Sequence, residues 1–137
     1  MHMSNATVAF SGLSLPVVDL QRSIDFYRSL GFTVDLVNPK HSFALLRLGT
    51  GTLGLLEIPA SRDDDAARDL PKRLRSLVQI ELETDDLDAL HAQFVAAGVP
   101  IAVPPRDRGF ERSMQCRDPD GFTVEFAQGE RGRNATR

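Results

Sequence analysis

The chain has 137 residues, 42% of them hydrophobic, with 16 basic against 19 acidic side chains and a single cysteine. That size and apolar content suffice for one core without disulfide or metal staples, and the lone thiol, Cys116, excludes both an intramolecular disulfide and a thiolate metal cluster, as expected of a reducing compartment. A net charge of −3 scattered along the chain offers no basic field for nucleic acid, and apolar runs no longer than a strand argue against a signal peptide or a membrane span, so the expected setting is cytoplasmic.

Residues 1–10 read as a leader, with Met1-His2-Met3 resembling a vector-derived tag remnant. Apolar alternation from Leu13 to Val17 predicts a strand. Asp19 then caps a helix through Leu20, Ile24, Tyr27 and Leu30, which Gly31 stops. Strand-like runs follow at Thr33 to Val37, Phe43 to Leu48 and Thr52 to Ile58, separated by Asn38-Pro39 and Gly49-Thr50-Gly51. These make a βαβββ module over residues 11–58. Residues 59–76 mix charges with prolines and are expected to link it to the next module, with room for a short helix.

The same grammar then returns over residues 77–127. Ile80 and Leu82 alternate with Gln79, Glu81 and Glu83, and Asp86 caps a helix carrying Leu87, Leu90, Phe94 and Ala97 that ends at Gly98. Strands are expected at Val99 to Val103, Ser113 to Arg117 and Phe122 to Ala127, the last two joined by Asp118-Pro119-Asp120-Gly121, a type I turn sequence. Twelve positions separate Asp19 from Gly31 and Asp86 from Gly98, so the copies superpose without a gap at an offset of 67, Leu20 on Leu87 and Tyr27 on Phe94. Each copy presents an apolar face that needs a partner to complete one domain over 11–127, and residues 128–137 are expected to form a flexible tail.

With Val17-Val18-Asp19-Leu20, Ser23, Phe26-Tyr27 and Leu30-Gly31-Phe32 in the first half, and Asp85-Asp86-Leu87, Ala96-Ala97-Gly98-Val99, Asp118 to Gly121 and Glu125 in the second, the chain resembles the vicinal oxygen chelate superfamily. That group comprises glyoxalase-type isomerases, extradiol dioxygenases, epimerases, fosfomycin-resistance transferases and bleomycin-resistance proteins. The resemblance implies an α+β fold, with two tandem βαβββ modules forming an open, cupped mixed sheet and helices on its convex side. Its motifs are caps, turns and core anchors, which specify architecture more than chemistry.

Period-two alternation puts Leu13, Leu15, Ile80, Leu82, Val124 and Phe126 against the helices, and Gly12, Ser14, Gln79, Glu81, Thr123 and Glu125 on the cavity face. Metal-dependent relatives carry four ligands there, and matching motifs assigns those positions to Gly12, Gly54, Gln79 and Glu125. Glycine has no side chain to give, so no cofactor is expected. The alternative is a divalent metal on Gln79, Glu125 and Glu57, should a strand slip turn Glu57 inward.

Glu125 reads either as a ligand-contacting group and candidate catalytic acid or base, or as a solvated strand carboxylate. Glu81 and Glu83 either line an acidic cup that prefers a cationic or hydrogen-bond-donating guest or sit at its rim. His41 fits a surface turn better than a general base at the cup mouth, His91 belongs to the convex side, and Cys116 reads as a small core residue. In the run Pro104 to Arg112, Phe110 covers a planar guest while an arginine such as Arg112 pairs with a carboxylate, or else the segment is an exposed charged loop.

The expected function is metal-independent binding of a small organic molecule, such as an antibiotic or other natural product, in the manner of bleomycin-resistance proteins. Gly12, Ser14, Gly54, Gln79, Glu81, Phe110, Arg112 and Glu125 form the candidate site, with Gly12 and Gly54 leaving room for the guest. By resemblance the chain forms a homodimer. The alternatives are a glyoxalase-like lyase, isomerase or dioxygenase with an atypical metal centre, and metal-free acid and base chemistry through Glu125 and His41.

Overall fold

The computed structural model describes residues 6–58 and 72–129, with Lys72 and Arg73 described in backbone only. Met1-His2-Met3, expected to be a tag remnant, the expected linker from 59 to 71 and the expected tail from 130 onward lie outside the described residues. The chain divides into two compact units, 1–64 and 65–137. No described helix is long and apolar enough to cross a membrane.

The first unit runs β1 (Gly12–Val17), α1 (Leu20–Ser29), β2 (Thr33–Asn38), β3 (Phe43–Leu48) and β4 (Gly51–Glu57). The second runs α2 (Lys72–Arg75), β5 (Gln79–Thr84), α3 (Leu87–Ala97), β6 (Val103–Asp107), β7 (Arg112–Arg117) and β8 (Thr123–Gln128). Each unit holds one four-stranded mixed sheet, ordered β1-β4-β3-β2 and β5-β8-β7-β6, whose first pair is parallel and whose other pairs are antiparallel. The fold is therefore α+β, two βαβββ modules in tandem.

Both long helices start and stop as their sequences dictate. Asp19 accepts a hydrogen bond from the Arg22 N–H at 3.1 Å and Asp86 from the Ala89 N–H at 3.0 Å, each satisfying an orphan donor of the first turn. At the other end the Phe32 N–H donates to Tyr27 O at 3.1 Å and the Val99 N–H to Phe94 O at 2.9 Å, the same bond in both copies. Gly31 (φ 111°) and Gly98 (φ 77°) supply the left-handed backbone these endings require.

A second device also repeats. The final residue of each closing strand caps the helix beside it: Glu57 Oε2 accepts from the Leu20 N–H at 2.8 Å and Gln128 Oε1 from the Leu87 N–H at 3.0 Å. Glu57 therefore points toward α1, and the ladder around it is in regular register, Val17 opposite Glu57 and Ser14 opposite Gly54. The strand slip that would turn Glu57 to the other face does not occur.

Apolar faces of the sheets meet the helices. In the first unit Leu15, Val17, Leu46, Leu53 and Leu55 are buried with Tyr27, whose ring makes edge contacts with Phe26 and Phe32 at 5.1 and 5.5 Å. Leu13, expected in that core, is half exposed at the start of β1. In the second unit Met114, Cys116, Val124 and Phe126 are buried, and Phe94 of α3 meets Phe126 edge-on at 5.1 Å.

One element departs from expectation. The strand expected at Val99 to Val103 forms instead at Val103–Asp107. Val99 is spent on closing the helix, and Pro100 has no N–H to give a ladder. Between the pairs Val103–Gln115 and Arg106–Ser113, Pro104 and Pro105 stand opposite Met114 alone, a bulge on the outermost strand, where a missing donor costs little. Arg108 to Glu111 then make a tight turn, closed by the Arg108 N–H on Glu111 O and the Gly109 N–H on Asp107 Oδ1, both at 2.8 Å.

Candidate functional site

The second unit's sheet presents its polar face through the register itself. Glu81 of β5, Glu125 of β8 and Gln115 of β7 stand side by side, with Gln79, Thr123 and Arg117 forming the next row. Glu125 is only 1% exposed although it carries a carboxylate. Its Oε2 accepts from Gln115 Nε2 at 3.3 Å, and its Oε1 lies 3.9 Å from Arg108 Nη1, an ion pair with a half-buried arginine. Gln115 Oε1 in turn accepts from Arg117 Nη1 at 3.4 Å, so a polar chain runs from strand to strand. The Arg108 guanidinium lies 5.2 Å from the centroid of the Phe110 ring, which is 58% exposed.

The equivalent rows in the first unit hold Ser14, Gly54 and Leu45, then Gly12, Thr52 and Arg47. Gly54 and Glu125 thus occupy one register position, as do Gly12 and Gln79. Neither glycine leaves the room expected of it. A Cβ on Gly54 would lie 3.1 Å from Phe43 Cε2 and against Ser14 Oγ, and a Cβ on Gly12 would overlap the carbonyl and hydroxyl oxygens of Thr52. Gly12 also has φ 153°, a backbone setting that side chains disfavour.

Several candidates stand elsewhere. Arg112 is on the opposite face of β7 from Gln115 and forms a two-pronged ion pair with Asp88 in the first turn of α3, at 3.1 and 3.3 Å, so Arg108 rather than Arg112 is the arginine beside Glu125 and Phe110. Glu57 is engaged at α1. His41 is exposed in the turn after β2, its N–H donating to Asn38 O at 3.3 Å, and His91 lies on α3. Cys116 is fully buried, and that burial pushes its thiol up from the ordinary 9.0 to about 11, against a small opposing pull from Arg117. Among the described residues no group of three or more His, Cys, Asp or Glu is placed to hold a metal ion.

Two contributors, Gln115 and Arg117, escaped sequence reading, and Arg108 was read only as one arginine of the run Pro104 to Arg112. The alternation of Ser113, Gln115 and Arg117 with Met114 and Cys116 carried the signal for the first two. Nothing local singled out Arg108 within its run, because its reach depends on a turn set by distant strand pairing.

The profile of the glyoxalase/bleomycin resistance protein/dioxygenase superfamily matches residues 8–126. The chain belongs to that superfamily. No curated protein sequence matches it. Among solved structures, UcmS2 is similar with a TM-score of 0.74 at 19% identity, over 90% of this chain and all of that one. A bleomycin resistance determinant encoded on transposon Tn5 gives 0.67 at 23%, over 90% and 99% of the two chains. Lactoylglutathione lyase from Agrobacterium tumefaciens gives 0.68 at 24%, over 90% and 96%. At such identities the likeness shows a shared fold, not a shared reaction.

Proposed function

We propose that this superfamily member binds a small organic molecule, an antibiotic or other natural product among the candidates, on the Glu125 face of its second unit and without a catalytic metal. The observation that carries the reading is the carboxylate of Glu125, 1% exposed on the central strand β8 and held by Gln115 and Arg108. Burying a carboxylate is costly even when paired, and an apolar side chain would serve the fold as well, so a polar row kept at that depth suits recognition better than stability. Phe110, exposed at the turn above it, offers a planar surface.

The donor set argues against a divalent ion. Of the four positions the superfamily resemblance assigns to ligands, Gly12 and Gly54 offer no side chain, the Thr52 carbonyl crowds one at position 12, Gln79 is a weak neutral donor, and Glu125 already faces a guanidinium. The reading includes a cytoplasmic homodimer, in keeping with how often such small domains pair symmetrically.

Elemental analysis of untagged protein, together with a thermal-shift screen of planar aromatic and peptide-like compounds, tests it. Only trace metal, and a melting point raised by an organic compound but not by divalent salts, is expected. About one equivalent of Ni, Zn, Fe or Mn, lost in Glu125→Ala, would replace this reading with a metal-dependent lyase, isomerase or dioxygenase.

A further inference from the structure

The fixed partner in the Arg108–Glu125 pair is the acid. Glu125 sits on β8 between β5 and β7, is 1% exposed, and is held by Gln115 Nε2 at 3.3 Å. Arg108 belongs to a tight turn at the edge of the sheet, its side chain is 35% exposed, and its Nη1 stands 3.9 Å from Glu125 Oε1, beyond hydrogen-bond length. The same guanidinium lies beside the exposed ring of Phe110 at 5.2 Å. A planar cation thus contacts a buried carboxylate and an aromatic ring, and the cation is the chain's own.

We propose that Arg108 is an internal stand-in for the guest, and that the Glu125–Phe110 site takes planar cations of the amidinium, guanidinium or aromatic ammonium class, which displace Arg108 into solvent. This rests on the binding role proposed for the Glu125 face. The charge balance favours a cationic guest over an anionic one. An anion drawn to Arg108 pulls it from Glu125 and takes a positive charge away from a buried carboxylate, a penalty that opposes binding. A planar cation replaces Arg108 on Glu125, keeps the buried charge compensated, covers the ring of Phe110 and releases an arginine already one-third exposed. Because the guest competes with a tethered group, its apparent affinity is lowered by the fraction of molecules in which Arg108 holds the site.

Benzamidine and benzoate, which share a ring and differ in charge, serve as probes of the full chain by calorimetry. Removing the stand-in by Arg108→Ala is expected to tighten benzamidine binding about tenfold, since the competent fraction rises toward one. Glu125→Gln in the same background abolishes that gain, and benzoate gains nothing. Arg108→Gln keeps a polar side chain at the position and repeats the measurement should the alanine variant fold poorly. In the wild-type protein, benzamidine is expected to shift the Arg108 Nε resonance toward its free value. Equal benzamidine affinity with and without Arg108, an unmoved Arg108 resonance in the wild type at saturating benzamidine, or a gain for benzoate overturns the inference. A neutral compound that binds beside Glu125 while Arg108 stays in place would overturn the cation class and leave the proposed binding function standing.

Discussion

The two units share their framework and differ on one sheet face. At matched register the first unit carries Ser14, Gly54 and Leu45 where the second carries Glu81, Glu125 and Gln115. The features common to both, an Asp cap, a glycine stop and a side chain returning from the last strand to the first helical N–H, all satisfy backbone groups that any sequence in this fold must satisfy. The features that differ lie on the polar face of the sheet, outside these backbone caps and stops. Side chains on that face are where a duplicated module can acquire chemistry, and among the described residues of the matched row the second unit has placed a buried charge, Glu125.

The largest test of the shared framework is in the core. Tyr27 and Phe94 occupy one position of the repeat, but Tyr27 is fully buried with two ring partners while Phe94 has one, Phe126. Tyr27→Ala is expected to cost about 4 kcal/mol and Phe94→Ala about 3 kcal/mol in urea unfolding, by the usual cavity cost of large-to-alanine changes. A larger loss at Phe94 would show that ring contacts do not rank the two cores.

Next comes the divergent face. Gly12→His and Gln79→His put one imidazole at equivalent positions, yet the first must overcome a positive φ and displace Thr52, for a loss of about 2 kcal/mol, whereas the second, exposed on β5, changes stability by less than about 0.5 kcal/mol. Equal melting points for the two variants would mean that position 12 can accept a side chain, reopening the metal question.

A matched core position gives a pH test. Leu46 in the first unit corresponds to Cys116 in the second, and both are fully buried. The folded thiol, pushed up to about 11, binds its proton more tightly than the unfolded one near 9.0, so the stabilisation is complete below pH 9 and is lost as pH climbs through 11. It amounts to about 3 kcal/mol for a shift of this size. Cys116→Val should flatten that loss in unfolding curves between pH 8 and 11, and native Cys116 should resist thiol reagents at pH 8. Rapid labelling without unfolding would contradict its burial.

The framework was readable in the sequence because each of its parts is local. A cap lies three residues from the N–H it serves, as Asp19 does from Arg22, and the repeat offset follows from cap and stop alone. Strand faces were readable too, since Gln79 and Glu81 follow simple alternation. What could not be read depends on distant pairing. The bulge at Pro104-Pro105 shifts β6 toward the turn and shortens a supposed loop to four residues, and this places Arg108 beside Glu125 while Arg112 pairs with Asp88. The room expected at Gly12 and Gly54 failed for a similar reason: a missing side chain leaves space only if neighbours do not fill it, and Thr52, Ser14 and Phe43 come from other stretches of chain.

The smallest expected effect separates charge from hydrogen bonding in the repeated cap. Glu57 and Gln128 make the same bond, 2.8 and 3.0 Å from a first-turn N–H, but one is an acid and the other an amide. The first turn of α1 contains no acidic residue, so Glu57 supplies the negative charge that a helix N-terminus favours, while α3 already has Asp88 there. Glu57→Gln keeps an acceptor and removes the charge, for an expected loss of about 0.5 kcal/mol at low ionic strength that shrinks in 1 M salt. Gln128→Glu adds charge where Asp88 and its partner Arg112 have set the local field, so the gain should be smaller still. A salt-independent loss in Glu57→Gln would assign the cap to geometry alone, and the amide of Gln128 would then serve its helix as well as the acid of Glu57 serves the other.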